Sequence, residues 1–275
     1  MLEKLKYKNH INEVFEFGAD GIYVNTNDLR NYEWAVTTKG NKITALDYSL
    51  ATKTLPVYIL CESETEGIAA RNKLFEVTEK DVLAMQHGQI IIGDYYFKCF
   101  VTKSEKSSYM TSKRYMVANL TLTSDYPYWV KETTIAFRKL DDGGNVYAHL
   151  DYSFDYPVDY TPTTGSREIN NTGFVGTNFR MVIYGACVNP AVYINGHKYQ
   201  VDCTVADGEY LTIDSITKKI FLTAADGTVT NKFNSRDRDS YIFEKIQAGN
   251  NSVLWEGDFG IDITLLEERS EPKWT

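Results

Sequence analysis

The stretch AVYINGHKYQV, residues 191–201, has the pattern of a β-hairpin. Asn195 and Gly196 separate two runs of β-favouring residues, and both tolerate the positive φ angles that a two-residue turn requires. The resulting register pairs Val192 with Tyr199 and Ile194 with His197. The sequence therefore predicts two antiparallel strands here, and it places His197 beside a turn, as a partly exposed strand residue rather than a metal ligand.

Similar signals elsewhere predict a mainly β protein. IIIGDYYFKCFV (90–101) indicates a second hairpin, because glycine comes first in its two-residue loop, as a type II′ turn requires. That register pairs Ile92 with Tyr95 and Ile90 with Phe97. Further strands are predicted in LPVYILC (55–61), GEYLTIDS, KKIFLT, SYIFEKI, SVLWE and GIDITLL, with turns at AADG (224–227) and AGNN (248–251). This short, turn-punctuated spacing is typical of a sandwich or barrel.

One region has the signals of a helix. Ser63 and Glu66 fit a capping box, in which each side chain bonds the backbone N–H of the other residue. We expect the helix to continue through GIAARNKLFEV, with Ile68, Leu74 and Phe75 roughly on one side. TEKDVLA (78–84) predicts a second short helix, with Thr78 as its cap.

The clearest boundary lies in the glycine-rich stretch RKLDDGGNVYA (138–148). It separates halves of about 140 and 130 residues, each a normal domain size. The sequence predicts an N-terminal domain over 1–140, a connector or first strand over 141–160, and a C-terminal β-sandwich over 161–275.

The connector carries DYSFDYPVDY (151–160), whose even positions are aromatic or apolar and whose odd positions are mostly acidic. Alternate side chains of a strand point to opposite faces, so one face is apolar and the other is solvated. Proline at 157 favours an edge strand or an extended connector. The alternative is an acidic, aromatic cradle for a sugar. Candidate residues for interdomain or interface packing are Tyr152, Phe154, Tyr156, Tyr160 and Trp255. For Trp255, core or interdomain packing is favoured over a protein interface or sugar stacking.

The composition excludes several classes of protein. The formal net charge is −8, from 29 basic and 37 acidic residues, and no Lys/Arg-rich block is present to neutralise phosphates. Charges interrupt the apolar runs near the N-terminus, and no apolar stretch approaches the ~20 residues of a membrane helix. We therefore expect synthesis in a cytoplasm, no membrane insertion and no tight nucleic-acid binding. Four widely separated cysteines are expected to be reduced thiols in strands: Cys61, Cys99, Cys187 and Cys203.

No motif points to catalysis, a cofactor or a metal. The sequence lacks a glycine-rich phosphate loop, a G-x-S-x-G elbow and an H-E-x-x-H motif. The histidines have no ligand spacing: His10, His87, His149 and His197. In NSRDRDS (234–240) two aspartates alternate with arginines, which indicates a self-neutralising surface loop rather than a calcium loop. We predict a protein without catalytic, cofactor-binding or metal-binding residues.

Several stretches, taken in order over nearly the whole chain, resemble the distal tail protein (Dit) family of long-tailed, siphophage-type phages and prophages. They are LPVYIL, AARNKLFEV, GQIIIGDYYFKCFV, NLTLTSDYPYW (119–129), the aromatic-acidic connector, IYGACVNPAVYINGHKY (183–199), GEYLTIDSITKKIFL and FEKIQAGNNSVLW. The pattern G-x-x-x-N-P, followed by a strand and an Asn-Gly turn, is the most specific of them.

The resemblance implies an architecture and a role. An N-terminal β-sandwich with one helix and a protruding hairpin would form a six-membered ring, and a galectin-like C-terminal β-sandwich would lie outside that ring. The ring would be a hub at the virion tail tip that joins the tail tube to a tail-associated tip protein and to receptor-binding or other baseplate proteins. DNA would pass through the central channel. The protruding hairpin is either IIIGDYYF or the DLRNYEWAV region (28–36).

A carbohydrate-binding β-sandwich module for attachment to a cell surface is the alternative function. It predicts a monomer or dimer with saccharide affinity, whereas the hub predicts a six-fold assembly without turnover. A galectin-like fold alone does not imply sugar binding. An enzyme that acts on cell-wall polymer is a more distant third.

Overall fold

The computed structural model describes residues 4–19, 21–139 and 167–274. The chain forms two compact units, Met1–Lys131 together with Glu268–Thr275, and Glu132–Glu267. The division falls inside a strand rather than at the glycine-rich stretch, and the last residues belong to the first unit. The connector at 141–160 lies outside the described residues.

The first unit contains strands and one long helix. Its elements are β1 (Leu5–Lys8), β2 (Val14–Glu16), β3 (Ile22–Val24), β4 (Ala35–Lys39), β5 (Lys42–Asp47), β6 (Ala51–Leu60), α1 (Glu64–Ala84), β7 (Gly88–Ile92), β8 (Tyr95–Ser107), β9 (Tyr115–Ser124) and the start of β10 (Trp129–Phe137). The antiparallel chain of partners runs β2–β1–β7–β8–β9–β6–β3. The start of β10 also pairs with β8. The buried core lies between these strands and α1 and includes Tyr7, Phe15, Ile22, Leu55, Phe97 and Trp129.

The β7–β8 hairpin has the predicted register. Ile92 faces Tyr95 and Ile90 faces Phe97, and Gly93 has a φ of +57°. All four paired side chains are buried. The turn type fixes the register, and the register sends this apolar set into the core.

The predicted capping box is present at the start of α1. The Glu66 N–H donates to Ser63 Oγ, and the Ser63 N–H donates to the Glu66 carboxylate, both over 3.2 Å. The prediction of a second helix is wrong, because α1 continues unbroken to Ala84. Thr78 does not cap a helix; its buried hydroxyl donates to the Leu74 carbonyl over 2.8 Å.

The expected apolar side of α1 is correct only for Leu74, which is buried. Ile68 and Phe75 are exposed, and the buried face comprises Gly67, Ala70, Leu74, Val77, Thr78 and Asp81. The cause is a close approach at Gly67, where an added Cβ would lie 2.2 Å from the Lys113 carbonyl oxygen. Small residues at this end let the helix pack tightly on a side that hydrophobicity alone does not indicate.

The second unit is a β-sandwich. It contains the rest of β10, then β11 (Arg167–Asn171), β12 (Asn178–Tyr184), β13 (Cys187–Val188), β14 (Ala191–Ile194), β15 (His197–Gln200), β16 (Thr204–Val205), β17 (Tyr210–Asp214), β18 (Lys219–Thr223), β19 (Val229–Asn231), a 3₁₀ turn at Phe233–Ser235, β20 (Gly249–Leu254) and all but the last two residues of β21 (Ile261–Arg269). One sheet has the order β19–β18–β17–β12–β21, and the other has the order β11–β20–β14–β15. Inward side chains of both sheets share one core, for example Phe179 and Tyr199, whose ring centroids are 5.2 Å apart. The predicted mainly β fold is confirmed.

The Asn-Gly hairpin forms β14 and β15 with the predicted pairs, and Asn195 and Gly196 have φ angles of +49° and +78°. Two other predictions in this unit are wrong. SYIFEKI is irregular, with only an isolated bridge at Ile246. Within it, the adjacent residues Ile242 and Phe243 are both buried, whereas a strand would send them to opposite faces. Most of the predicted AGNN turn belongs to strand β20.

Candidate functional site

An exposed hairpin, formed by β4 and β5 and called here the arm (Ala35–Asp47), is the most distinctive surface of the first unit. Among the described residues, these strands pair only with each other, and none of their side chains is buried. Val36 faces Leu46 and Thr38 faces Ile43, so one side of the arm is apolar. A two-stranded hairpin by itself is marginally stable in water. The apolar side therefore suits contact with another surface.

The arm identifies which sequence candidate protrudes. IIIGDYYF lies in the buried β7–β8 hairpin, whereas DLRNYEWAV leads directly into β4. The arm turns at Gly40 and Asn41, and Gly40 has a φ of +62°. A Gly-Asn pair between threonine-rich runs is a hairpin signal that reasoning from the sequence missed.

Aromatic rings hold the root of the arm. Trp34 and Tyr48 stand where the two strands leave the unit, with ring centroids 4.1 Å apart. Tyr48 contacts Tyr128 edge-on at 4.9 Å, and Tyr126 lies 5.2 Å from Tyr128. Burial is the largest cause of the raised pKa of Tyr48. These contacts hold the base of the arm in place, and they involve none of the residues of β4 and β5.

The C-terminal residues of the chain also lie at this root. Arg30 Nη1 donates to the Pro272 carbonyl over 2.7 Å and is 3.3 Å from Glu271 Oε1. Its guanidinium carbon lies 3.7 Å from the centre of the Trp274 ring. The Tyr126 hydroxyl donates to the Glu268 carboxylate. The chain end is thus part of the support for the segment that leads into the arm.

A second exposed apolar surface runs along α1. Ile68, Phe75 and Val82 are spaced seven residues apart and form what we call the outer stripe. Beside it lies a groove of about 270 Å³ between α1 and strands β8 and β9. The groove is lined by Leu74, Phe75, Tyr109, Met116 and Leu120, with polar residues at its rim. Exposed apolar side chains beside an apolar groove make this face of α1 a candidate interaction site.

A buried polar cluster joins β1 to α1. Asp81 is completely buried, and its Oδ2 accepts from the Tyr7 hydroxyl over 2.6 Å. Its Oδ1 accepts from the His10 N–H over 2.8 Å and lies 2.6 Å from His10 Nδ1. Burial is the largest cause of the raised pKa of Tyr7. These hydrogen bonds satisfy a carboxylate that would otherwise be costly to bury. His10 therefore has a structural role.

The chemistry of the described residues offers no metal centre. Within residues 4–19, 21–139 and 167–274, no group of three or more His, Cys, Asp or Glu side chains could hold an ion. No helix in this part of the chain is long and apolar enough to cross a membrane. His197 is partly exposed, with Nε2 2.9 Å from the Tyr241 carbonyl oxygen. His149 lies outside the described residues.

The four cysteines are free thiols. Cys99 and Cys187 lie in strands as expected, but Cys61 and Cys203 lie outside them. Burial raises the pKa of Cys99 to about 12 and that of Cys187 to about 11. Thiols with such pKa values stay protonated near neutral pH and are weak nucleophiles.

The loop NSRDRDS differs from its interpretation as a self-neutralising run. Asp237 pairs with Lys198 across 2.5 Å rather than with the adjacent arginines. The Arg236 guanidinium lies 4.0 Å from the centre of the Phe233 ring. Adjacent side chains of an extended segment point in different directions, so Asp237 pairs with a lysine in another strand while Arg236 packs on a ring three residues earlier.

Of the candidate packing residues, the structure describes Trp255. It is 6% exposed, it lies in the core of the second unit, and its ring centroid is 5.5 Å from that of Phe137. Its Nε1 donates to the Phe259 carbonyl over 3.0 Å. A ring covered in this way has no open face for a saccharide. The other candidates, Tyr152, Phe154, Tyr156 and Tyr160, lie outside the described residues.

Comparisons by sequence find no matching family model and no matching curated protein. Solved structures do match. A chain of the phage P2 baseplate in its activated conformation with Ca aligns with a TM-score of 0.65 and 10% identity, over 99% of this chain and 100% of that chain. The SPP1 Dit protein, described as a paradigm of the hub adsorption apparatus in phages that infect Gram-positive bacteria, aligns with a TM-score of 0.58 and 12% identity, over 98% and 100%.

The chain has the Dit fold. A second structure of the phage P2 baseplate, with Sr, aligns with a TM-score of 0.64 and 10% identity over 99% of this chain and 100% of that chain. The match confirms the resemblance to Dit at the level of the fold. Identity this low explains why the family signal in the sequence rests on the order of short stretches rather than on any single motif.

Proposed function

We propose that this protein is a structural hub of a phage or prophage tail tip and that it assembles through the arm into a hexameric ring. The single observation that carries the proposal is the arm, a hairpin whose strands pair only with each other among the described residues and whose apolar side is exposed. The fold shared with a phage baseplate chain and with a Dit hub supports it.

Ring closure explains why such an arm is tolerated. A cyclic assembly uses heterologous contacts, so each copy offers one surface and receives a different one. Every arm is then covered, so its apolar side no longer faces water in the assembly. The exposure of the apolar side of the arm to water is therefore unfavourable only in the free subunit.

The ring would join the tail tube to a tail-associated tip protein and to receptor-binding or other baseplate proteins, at the tip of the virion tail. The chain would be made in the host cytoplasm and would have no enzymatic role. DNA would pass through the channel with only weak contact, which suits a chain with a formal net charge of −8.

Native mass spectrometry and negative-stain microscopy of the purified protein test the proposal. We expect a particle of about six times the 31.4 kDa chain, with a central hole. The matched variant replaces residues 36–46 with a Gly-Ser pair, because Ala35 and Asp47 face each other and a two-residue loop can join them. That variant should melt like the wild type and remain a monomer. A wild-type protein that stays monomeric at high concentration contradicts self-assembly through the arm.

One observation favours the alternative, a carbohydrate-binding module. On the second unit, Tyr184 and Tyr210 are partly exposed, with ring centroids 6.4 Å apart, and the Tyr184 hydroxyl donates to Asp262 over 2.7 Å. Exposed rings beside a fixed carboxylate suit stacking and hydrogen bonding to a sugar. Glycan-array binding that Tyr184→Ala abolishes would support this function; an array without a signal would contradict it.

A further inference from the structure

We infer that the arm of one copy docks along the outer stripe and groove of α1 in a second copy. The inference rests on the proposed ring and names the surface that receives the arm. Two of the exposed apolar surfaces in the described part of the first unit carry the inference. One is the arm, with Val36, Ile43 and Leu46, and the other is the outer stripe with its groove. A heterologous contact between copies covers both at once.

The two surfaces match in length. Each arm strand and its half of the turn extend about 20 Å at ~3.3 Å per residue. The outer stripe runs from Ile68 to Val82, about 21 Å at 1.5 Å per residue. The apolar side of the arm can therefore lie along the whole stripe, with Phe75 and the groove near its middle.

The charges match as well. Lys39 and Lys42 face each other directly at the tip of the arm, and like charges in facing positions are destabilising in an isolated hairpin. The exposed carboxylates of Glu76 and Glu79 lie beside the outer stripe, in the C-terminal half of α1. Carboxylates placed against the tip would relieve the repulsion between the two lysines.

These charges also set the direction of docking. The last turn of α1, which the structure describes completely, contains no basic residue, and the C-terminal end of a helix favours cations. The rim of the groove nearer the N-terminal half of α1 carries Arg71 and Lys106. The acidic residue at the arm base, Asp47, suits that end, so the arm points its tip toward the C-terminal end of the neighbour's helix.

Charge reversal tests this pairing. We compare the wild type, the arm variant Lys39→Glu/Lys42→Glu, the helix variant Glu76→Lys/Glu79→Lys, and the four-fold variant that combines both. Lys139→Glu/Lys219→Glu is the control, since both lysines are exposed and lie in the second unit. Sedimentation velocity over a concentration series gives the association constant, and a thermal melt checks that each variant folds.

The arm and helix variants should each associate about ten-fold or more weakly, because two favourable contacts per interface become repulsive. The four-fold variant should recover assembly, since it restores opposite charges with their signs exchanged, and the control should behave like the wild type. A helix variant that assembles normally, or a four-fold variant that does not recover, overturns the pairing and leaves the ring intact. A wild type that never assembles overturns the ring and this inference together.

Discussion

The double variant Ile43→Ser/Leu46→Ser should abolish assembly without weakening the fold. Ile43 is 63% exposed and Leu46 is 52% exposed, so a partner can cover more than half of each side chain. Complete burial of such a residue is worth about 1.5–3 kcal/mol, and half of that for two residues is about 1.5–3 kcal/mol per interface. Association should weaken by roughly 10- to 150-fold at each interface.

The subunit itself should be nearly unaffected. Neither side chain contributes to a buried core, and surface substitutions of this kind usually change the free energy of unfolding by less than about 0.5 kcal/mol. A thermal melt and far-UV circular dichroism measure the fold, and sedimentation velocity measures assembly. The matched control is Val188→Ser/Val229→Ser, which removes two comparably exposed strand residues from the second unit.

Particles of wild-type mass, formed by the double variant at wild-type concentrations, would show that the apolar side of the arm is incidental to assembly. A variant that unfolds at a much lower temperature than the control would show that the arm supports its own subunit instead.

Three further outcomes are expected. Trp255→Ala should lower the free energy of unfolding by about 3–5 kcal/mol in urea titration, whereas Trp255→Phe keeps the ring contact and should cost less; a small loss for alanine would mean that the site is not core. Gly67→Ala should destabilise by about 1–3 kcal/mol despite the better helix propensity of alanine, because its Cβ would meet the Lys113 carbonyl oxygen at 2.2 Å; a stabilised variant would contradict that close approach. The pKa of Cys99 is raised from 9.0 to about 12, so the folded state retains a proton that the unfolded state loses. The free energy of unfolding should therefore fall between about pH 9 and pH 12, by up to about 1.4 kcal/mol per pH unit for this group, and Cys99→Ala should show a shallower decline.

Local signals in the sequence predicted the features that local geometry determines. The Gly93 and Asn195-Gly196 turns fix their hairpin registers, and Ser63 with Glu66 fixes the start of α1. Each of these depends on residues a few positions apart, so no distant contact can change the outcome.

The errors occurred where distant segments decide. The buried face of α1 follows from the approach of Lys113 to Gly67, some forty-six positions along the chain, which hydrophobicity does not encode. SYIFEKI is rich in strand-forming residues, yet Ile242 and Phe243 both turn inward and break the alternation. The arm was hard to recognise because its apolar residues face solvent in the single chain, so no buried face marks its strands.

The return of residues 268–275 to the first unit has an evolutionary consequence. The second unit becomes an insertion between two segments of the first. Thr134 and Thr264, near the two ends of that insertion, share a hydrogen bond of 2.9 Å between their hydroxyls. An insertion whose ends lie side by side can be exchanged with little disturbance to its host domain. Recombination could therefore replace the entire second unit as a cassette while the arm, its root and α1 are inherited unchanged.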